Sequence, residues 1–433
     1  MMKKKGYELS FYQKFFSVSV IVAFVSFLGL MCSVGGAVSR LPDSVCIIQG
    51  RQNNVFSSFE LNAEYTSASM SADESYTEKA NEKTMLSING ENTEAIPQEM
   101  QVALFGVTVK NVSLDILPDE EVIPCGMTVG VNIASSGIMV LGLDSVETTE
   151  GRSIKPAEKL LKAGDVIISA NGVNLSSKEE FIKIIEACDG KSVALKIKRD
   201  SKTTDISVMP QKSATDGKYK VGVWVRDGTQ GVGTLTYYDA KHNIFGALGH
   251  GVLDVDTRQL IPVKSGLIMD SSITSIKKGR KGSPGELVGQ IDTSKIIGSI
   301  ELNTPLGLYG KMETIPYGGD CSPFKIALKS DIHEGPAKIR SNIYEKSIKE
   351  YDVYIESVNR YGQDDSKGMV LRVTDAELLS KTNGIVQGMS GSPIIQDGRL
   401  IGAVTHVFVQ NPSRGYGVFI ENMLKQEKRM LQG

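Results

Sequence analysis

The run Gly388-Met389-Ser390-Gly391-Ser392-Pro393 holds the residue types that nucleophilic chemistry needs. A serine that attacks a carbonyl requires close backbone approach and free N–H groups to hold the developing oxyanion. Flanking glycines permit both. The elbow pattern Gly-x-Ser-x-Gly is absent, because Ser392 stands where its second glycine would be. Apolar residues on either side, Ile385-Val386 and Ile394-Ile395, predict a loop between two strands. A glycine- and serine-rich turn with no chemistry is the competing reading.

Such a serine needs a base. Of His242, His250, His333 and His406, His250 has the tight small-residue frame, Phe245-Gly246-Ala247-Leu248-Gly249-His250-Gly251, at the end of an apolar strand. His242 falls in a polar turn, and His333 lies between the charged Asp331 and Glu334. His406 sits within an apolar strand, where it reads as a core residue. A third group, an acid, should fix the imidazole tautomer. Asp375 ends an apolar strand shortly before the serine, and it is equally placed to cap a short helix over 376–379. Asp254, Asp256 and Asp320 are further candidates.

The elements that would position these groups read as mainly β from about residue 218. Short strands are predicted over 221–225, 233–238, 244–248, 297–302, 325–328, 337–340, 351–358, 369–373 and 400–407. Asp397-Gly398 is a strong hairpin signal, and 239–243 is a second turn. Repeated short strands with glycine-rich turns suggest a barrel domain. A closing helix is predicted over 421–431. Upstream, the pattern is α+β: a strand over 165–170, an Asn171-Gly172 turn, then a helix. Ser176 or Ser177 caps that helix, and Phe181, Ile184, Ile185 and Cys188 share one face of it.

Composition narrows the classes. A formal net charge of -2 without a large basic block excludes nucleic acid as an expected partner. The five cysteines form no Cys-x-x-Cys and the histidines form no His-Glu-x-x-His, so no metal or cofactor is expected. Lysines at 3, 4, 5 and 14 precede an uncharged, mostly apolar stretch from residue 15 to 39. This reads as a transmembrane signal anchor with the rest of the chain outside; a cleaved signal peptide is the competing reading, for which Gly35-Gly36-Ala37 is a poor cleavage site. Residues 62–98 are rich in Ser, Thr, Asn and Glu and read as a stalk. The expected organisation is a cytoplasmic tip and anchor (1–40), a stalk (41–100), an α+β domain (101–210) and a catalytic domain (211–433).

Two resemblances sharpen this reading. The run Lys162-Ala163-Gly164-Asp165-x-Ile167-x-x-x-Asn171-Gly172 resembles a PDZ domain. The resemblance implies that Val129-Gly130-Val131 is the loop binding a peptide's terminal carboxylate. Ala247-Leu248-Gly249-His250, Asp254-x-Asp256-Thr257, and the stretch from Thr374-Asp375 through Gly388-Met389-Ser390-Gly391-Ser392-Pro393 resemble the stage IV sporulation protein B peptidases. That resemblance implies a chymotrypsin-like double β-barrel with Ser390 as nucleophile, His250 as base and Asp375 as orienting acid. The N–H groups of Gly388 and Ser390 would form the oxyanion hole. It also implies a serine endopeptidase of endospore formation, held in the forespore inner membrane, that cleaves itself and a membrane-bound regulator of an intramembrane metalloprotease. Activation of a mother-cell sigma factor would follow. A non-catalytic PDZ adaptor with a degenerate protease domain is the alternative.

Overall fold

The computed structural model describes residues 11–39, 41–48, 52–54, 64–67, 85–87, 99–104 and 107–432, except 201, 315–321, 345–346 and 363. The chain forms two compact units, Met1–Asp119 and Glu120–Gly433.

In the first unit, helix α1 (Phe11–Ser39) covers the stretch expected as an anchor. The anchor itself is not shown: among the described residues no helix is long and apolar enough to cross a membrane. Ser33, Gly35, Gly36 and Ser39 dilute the apolar run at its end. A strand at Ser44–Ile48 follows, with Ile47 and Ile48 buried, and pairs in parallel with Val107–Leu117. The expected stalk therefore begins with a packed strand. Most of 62–98 lies outside the described residues.

The second unit starts with β1 (Glu121–Leu143), a 23-residue strand. Then come β2 (Val166–Ala170), α2 (Lys178–Glu186), β3 (Val193–Arg199) and β4 (Lys202–Val208). The Asn171-Gly172 turn takes positive φ at both residues, 48° and 80°, as a tight hairpin requires. Ser177 caps α2 by accepting the Glu180 N–H at 3.3 Å. Phe181, Ile185 and Cys188 pack with Ile138, Val140, Ile167 and Leu195 in a separate core.

The chain then returns to β1. Strands β5 (Val223–Asp239), β6 (Ile244–Ala247), β7 (Val263–Lys277), β8 (Glu286–Thr304) and β9 (Gly307–Met312) complete a ring in the order β1-β5-β6-β9-β8-β7. Pairing of β7 with β1 closes it. The α+β segment is thus inserted between the first two strands of a barrel, and the boundary expected at 210/211 falls inside one folded body. Val129, Val131 and Ile133 alternate inward in β1 and are at most 4% exposed. Val129-Gly130-Val131, expected as a carboxylate loop, is instead barrel strand paired with β5 on one side and β7 on the other. Gly130 is needed there because a Cβ would run into the Ile291 side chain.

A second closed barrel comprises β10 (Gly335–Ser341), β11 (Lys349–Val358), β12 (Met369–Val373), β13 (Pro393–Gln396), β14 (Arg399–Phe408) and β15 (Asn411–Phe419), in the order β10-β11-β12-β15-β14-β13. Its core includes Ile339, Ile355, Leu371, Met389, Ile394 and Phe419. Helix α3 (Ala376–Thr382) follows β12, and α4 (Ile420–Gln432) closes the chain.

Helix α4 brings Glu427 against the first barrel, where it accepts a hydrogen bond from the buried Tyr237 hydroxyl at 2.6 Å. Burial, and a proton shared with Asp239, push the Glu427 carboxyl up from 4.5 to about 8. The protonated form is therefore favoured by folding. Its contribution to stability is complete below the unfolded value and is lost as pH rises to about 8. Thermal unfolding followed across that range should show the midpoint falling toward alkaline pH, and Glu427→Gln should flatten the fall.

Candidate active site

Ser390 sits in the loop joining α3 to β13. Gly388 and Gly391 adopt φ of 98° and 97°, a left-handed region in which a side chain would be strained. The loop is held from inside and outside. Met389 N–H donates to Val386 O at 3.1 Å, Ser392 N–H to Met389 O at 2.9 Å, and Gly391 N–H to Val404 O at 2.8 Å. From the first barrel, Thr234 N–H donates to Ser390 O at 3.0 Å, and Thr234 Oγ1 donates to Gly388 O at 2.7 Å. Among the described residues, the N–H groups of Gly388 and Ser390 meet no protein acceptor. Two free amides flanking a serine are the donors that an oxyanion requires. A cavity of about 570 Å³ borders Gly388, lined by Val232, Leu287 and Ile291 with Glu286 and Gln387.

His250 follows β6 across a sharp turn in which Leu248 and Gly249 both have positive φ, 69° and 68°. A leucine there costs about 1–2 kcal/mol, and the surroundings impose it. Leu248 N–H donates to Thr234 O at 3.1 Å, and its side chain fills the space a Cβ on Gly233 would need. The imidazole Nδ1 lies 3.0 Å from Gly251 O, so it carries the proton and leaves Nε2 as the basic nitrogen. Asn303 fixes this loop. Its Oδ1 accepts from Val252 N–H, and its Nδ2 donates to Val252 O and Ile261 O, all at 2.9 Å.

Each of the two groups touches β14, at neighbouring residues. Ser390 Oγ donates to Thr405 O at 2.6 Å, and the next residue, His406, stacks on His250 with ring centroids 4.8 Å apart. The ladder between β14 and β15 slips between Val404 and Val407, which turns Thr405 and His406 out of register. The serine hydroxyl is thus held by a backbone carbonyl rather than by the imidazole, a loosening common in unliganded sites. Burial lowers His250 from 6.5. Burial, then repulsion by His250 and Lys367, takes His406 down to about 4.

Asp375 is not brought to the imidazole. It caps α3: Oδ1 accepts the Leu378 N–H at 2.8 Å, and Oδ2 is 3.5 Å from the Asp352 N–H. Val407, next to His406, lies level with Leu371 through Gly415, and Asp375 is four residues further on, past the end of β12, about 13 Å along the strand direction. Of the other acids, Asp254 pairs with Arg226 at 2.6 Å and Asp256 with the same guanidinium at 2.9 Å, while Asp320 lies outside the described residues. His242 pairs with Asp239 and His333 with Asp397, so neither serves Ser390. Glu120, Asp239 and His242 are the one group of metal-ligating types gathered among the described residues. His242 Nδ1 is already bonded to Asp239, and Glu120 accepts from the Lys241 ammonium.

Residues 217–424 match the family described as SpoIVB peptidase S55, and residues 155–199 match a PDZ domain. The chain carries a SpoIVB peptidase S55 domain. Together with the PDZ match, this agrees with the resemblance to stage IV sporulation protein B. The PDZ domain of an SdrC-like protein from Listeria monocytogenes is 24% identical, covering 22% of this chain and 90% of that one, at a TM-score of 0.18. Its counterpart from Listeria innocua is 27% identical, covering 20% and 93%, at 0.16. An inactive serine-to-alanine mutant protein from M. tuberculosis is 9% identical, covering 45% and 80%, at 0.22.

Within the S55 domain, sequence reasoning missed Thr234, Asn303 and Thr405, and it assigned His406 to the core. None carries a motif; a polar residue in an apolar strand was the sole signal for Thr234 and Thr405. Two outcomes follow. The acid limb of kcat/KM should lie below 6.5, because burial keeps His250 neutral and basic to lower pH. Asp375→Asn should keep its cap and most of the peptidase rate, whereas Asp375→Ala should lower stability by about 0.5–2 kcal/mol in denaturant titration.

Proposed function

We propose that the chain is a serine endopeptidase of endospore formation that works through an acyl-enzyme. One observation carries the reading: a serine whose own N–H and that of Gly388 meet no acceptor among the described residues, tied through Thr234 to the turn of a histidine whose Nδ1 is committed to a carbonyl. Ser390 Oγ leaves Thr405 O and attacks the scissile carbonyl as His250 Nε2 takes its proton. The Gly388 and Ser390 N–H groups receive the oxyanion, each such donor being worth about 2.7–4 kcal/mol of barrier. His250 then protonates the leaving amine, and water hydrolyses the ester. Gly251 O holds the imidazole tautomer, the role that the family resemblance gives to Asp375.

The biological setting follows from that resemblance. The substrates are the chain itself and a membrane-bound regulator of an intramembrane metalloprotease, cleaved between the forespore membranes to activate a mother-cell sigma factor. Helix α1, with Phe15, Phe16, Phe24 and Phe27 each more than half exposed, would hold the enzyme at the forespore inner membrane.

The test is self-processing. The wild-type chain should shorten itself and take a serine-directed phosphonate label, while Ser390→Ala should stay full length and unlabelled. Equal shortening of the alanine variant in a purified preparation would refute the assignment.

A further inference from the structure

The barrel and the PDZ segment share strand β5, and the first part of β5 lies in an unusual place. A PDZ domain takes an extended peptide by adding it as a strand to a sheet edge. In this chain that edge is the end of β1, and it is already paired: Val223 with Leu143, Trp224 with Gly142, Val225 with Val140 and Arg226 with Met139. The other wall is α2. Val221 belongs to one core with Phe181 and Ile185 of that helix, and Val223 and Val225 pack against it. Both ends of the segment are clasped. The Asp227 carboxylate accepts the Lys178 N–H at 2.9 Å where α2 begins, and Lys218 Nζ meets Glu186 at 2.9 Å where it ends. Residues 223–227 therefore lie between the end of β1 and α2, while Tyr219 and Lys220, paired with Gln211 and Lys212, lead into them against the same core.

We propose that this slot is the peptide groove of the PDZ segment, that the chain's own residues 218–227 are its resident ligand, and that an extended apolar peptide from a partner protein must displace them. Being tethered, the resident segment acts at an effective concentration in about the millimolar range, so the groove resists weak competitors.

Displacement would reach the catalytic loops through side chains already described. Arg226, inside the segment, pairs with Asp254, which is 1% exposed. Asp254 Oδ1 accepts the N–H groups of Asp256 and Thr257 and so folds the loop that follows His250. Withdrawing Arg226 leaves the buried Asp254 carboxylate without its guanidinium, a loss that destabilises the folded loop. Further along the same strand, Thr234 holds Ser390 O and Gly388 O. The self-filled groove is the state with ordered catalytic loops, and a competing peptide lowers the peptidase rate. This second step rests on the peptidase reading above; the occupancy of the groove does not.

The experiment uses the full chain carrying Ser390→Ala and a dye-labelled synthetic peptide of residues 218–227 with Phe in place of Trp224. Trp224 is the chain's one tryptophan and is 64% exposed, so its emission follows the resident segment alone. Lys218→Ala with Asp227→Ala removes both clasps. The labelled peptide should bind this variant at least tenfold more tightly than its parent, with a change in Trp224 emission on binding. Asp227→Ala alone should fall between. Equal affinity for parent and variant, binding with unchanged emission, or no binding to either overturns the assignment. In the chain with Ser390 intact, saturating peptide should lower kcat/KM severalfold. An unchanged rate overturns the coupling, whereas a chain with no peptidase activity at all instead refutes the catalytic reading and leaves the groove result standing.

Discussion

Thr234 holds the two halves of the catalytic region in one frame. Its N–H and hydroxyl bind the carbonyls of Ser390 and Gly388, and its own carbonyl receives the Leu248 N–H two residues before His250. The residue is fully buried. Hydrogen bonds in such a place are strengthened by the low local dielectric, and each one lost leaves a buried polar group unpaired. The nucleophile loop comes from the second barrel and the histidine turn from the first. A single residue bonded to both makes their separation a property of β5 rather than of two independent loops.

That constraint gives the inserted PDZ segment its importance. A module carried on a flexible linker could not act on the site mechanically. Here the insertion leaves the barrel along β1 and returns along β5, and both strands pass without a break from one core to the other. The ladder between β5 and β1 runs from Val223 to Thr234 with irregularities after Trp224 and at Asp227, so a shift near Val223 is passed on to Thr234 through a bulged strand. The loop after His250 adds a second connection, through Arg226 and Asp254, and a third where Thr257 Oγ1 lies 3.5 Å from the Met139 sulfur.

In the proposed mechanism the imidazole of His250 is oriented without a carboxylate. The Gly251 carbonyl takes the Nδ1 proton, and Asn303 holds the backbone around it. A carbonyl stabilises an imidazolium less than a carboxylate does, because it brings no full charge. Burial lowers the basicity of His250 further. Both effects leave the His250 imidazole readily neutral.

Local chemistry was legible in the residues themselves. The serine turn, the small-residue frame of His250, the Asn171-Gly172 and Asp397-Gly398 hairpins and the Ser177 cap all express preferences of a few adjacent residues, which act wherever the chain goes. The β class followed from alternation for the same reason. Three features could be decided only by the tertiary structure. Val129-Gly130-Val131 has the same pattern in a binding loop as in a barrel strand, and pairing with β5 and β7, both far away in the chain, is what makes it the latter. Asp375 could cap a helix or orient an imidazole, and its place past the end of β12, at the first turn of α3, gives it to the helix. Thr234, Asn303 and Thr405 look ordinary in sequence because their partners lie far off in the chain, and closure of two barrels is what brings those partners within hydrogen-bond reach.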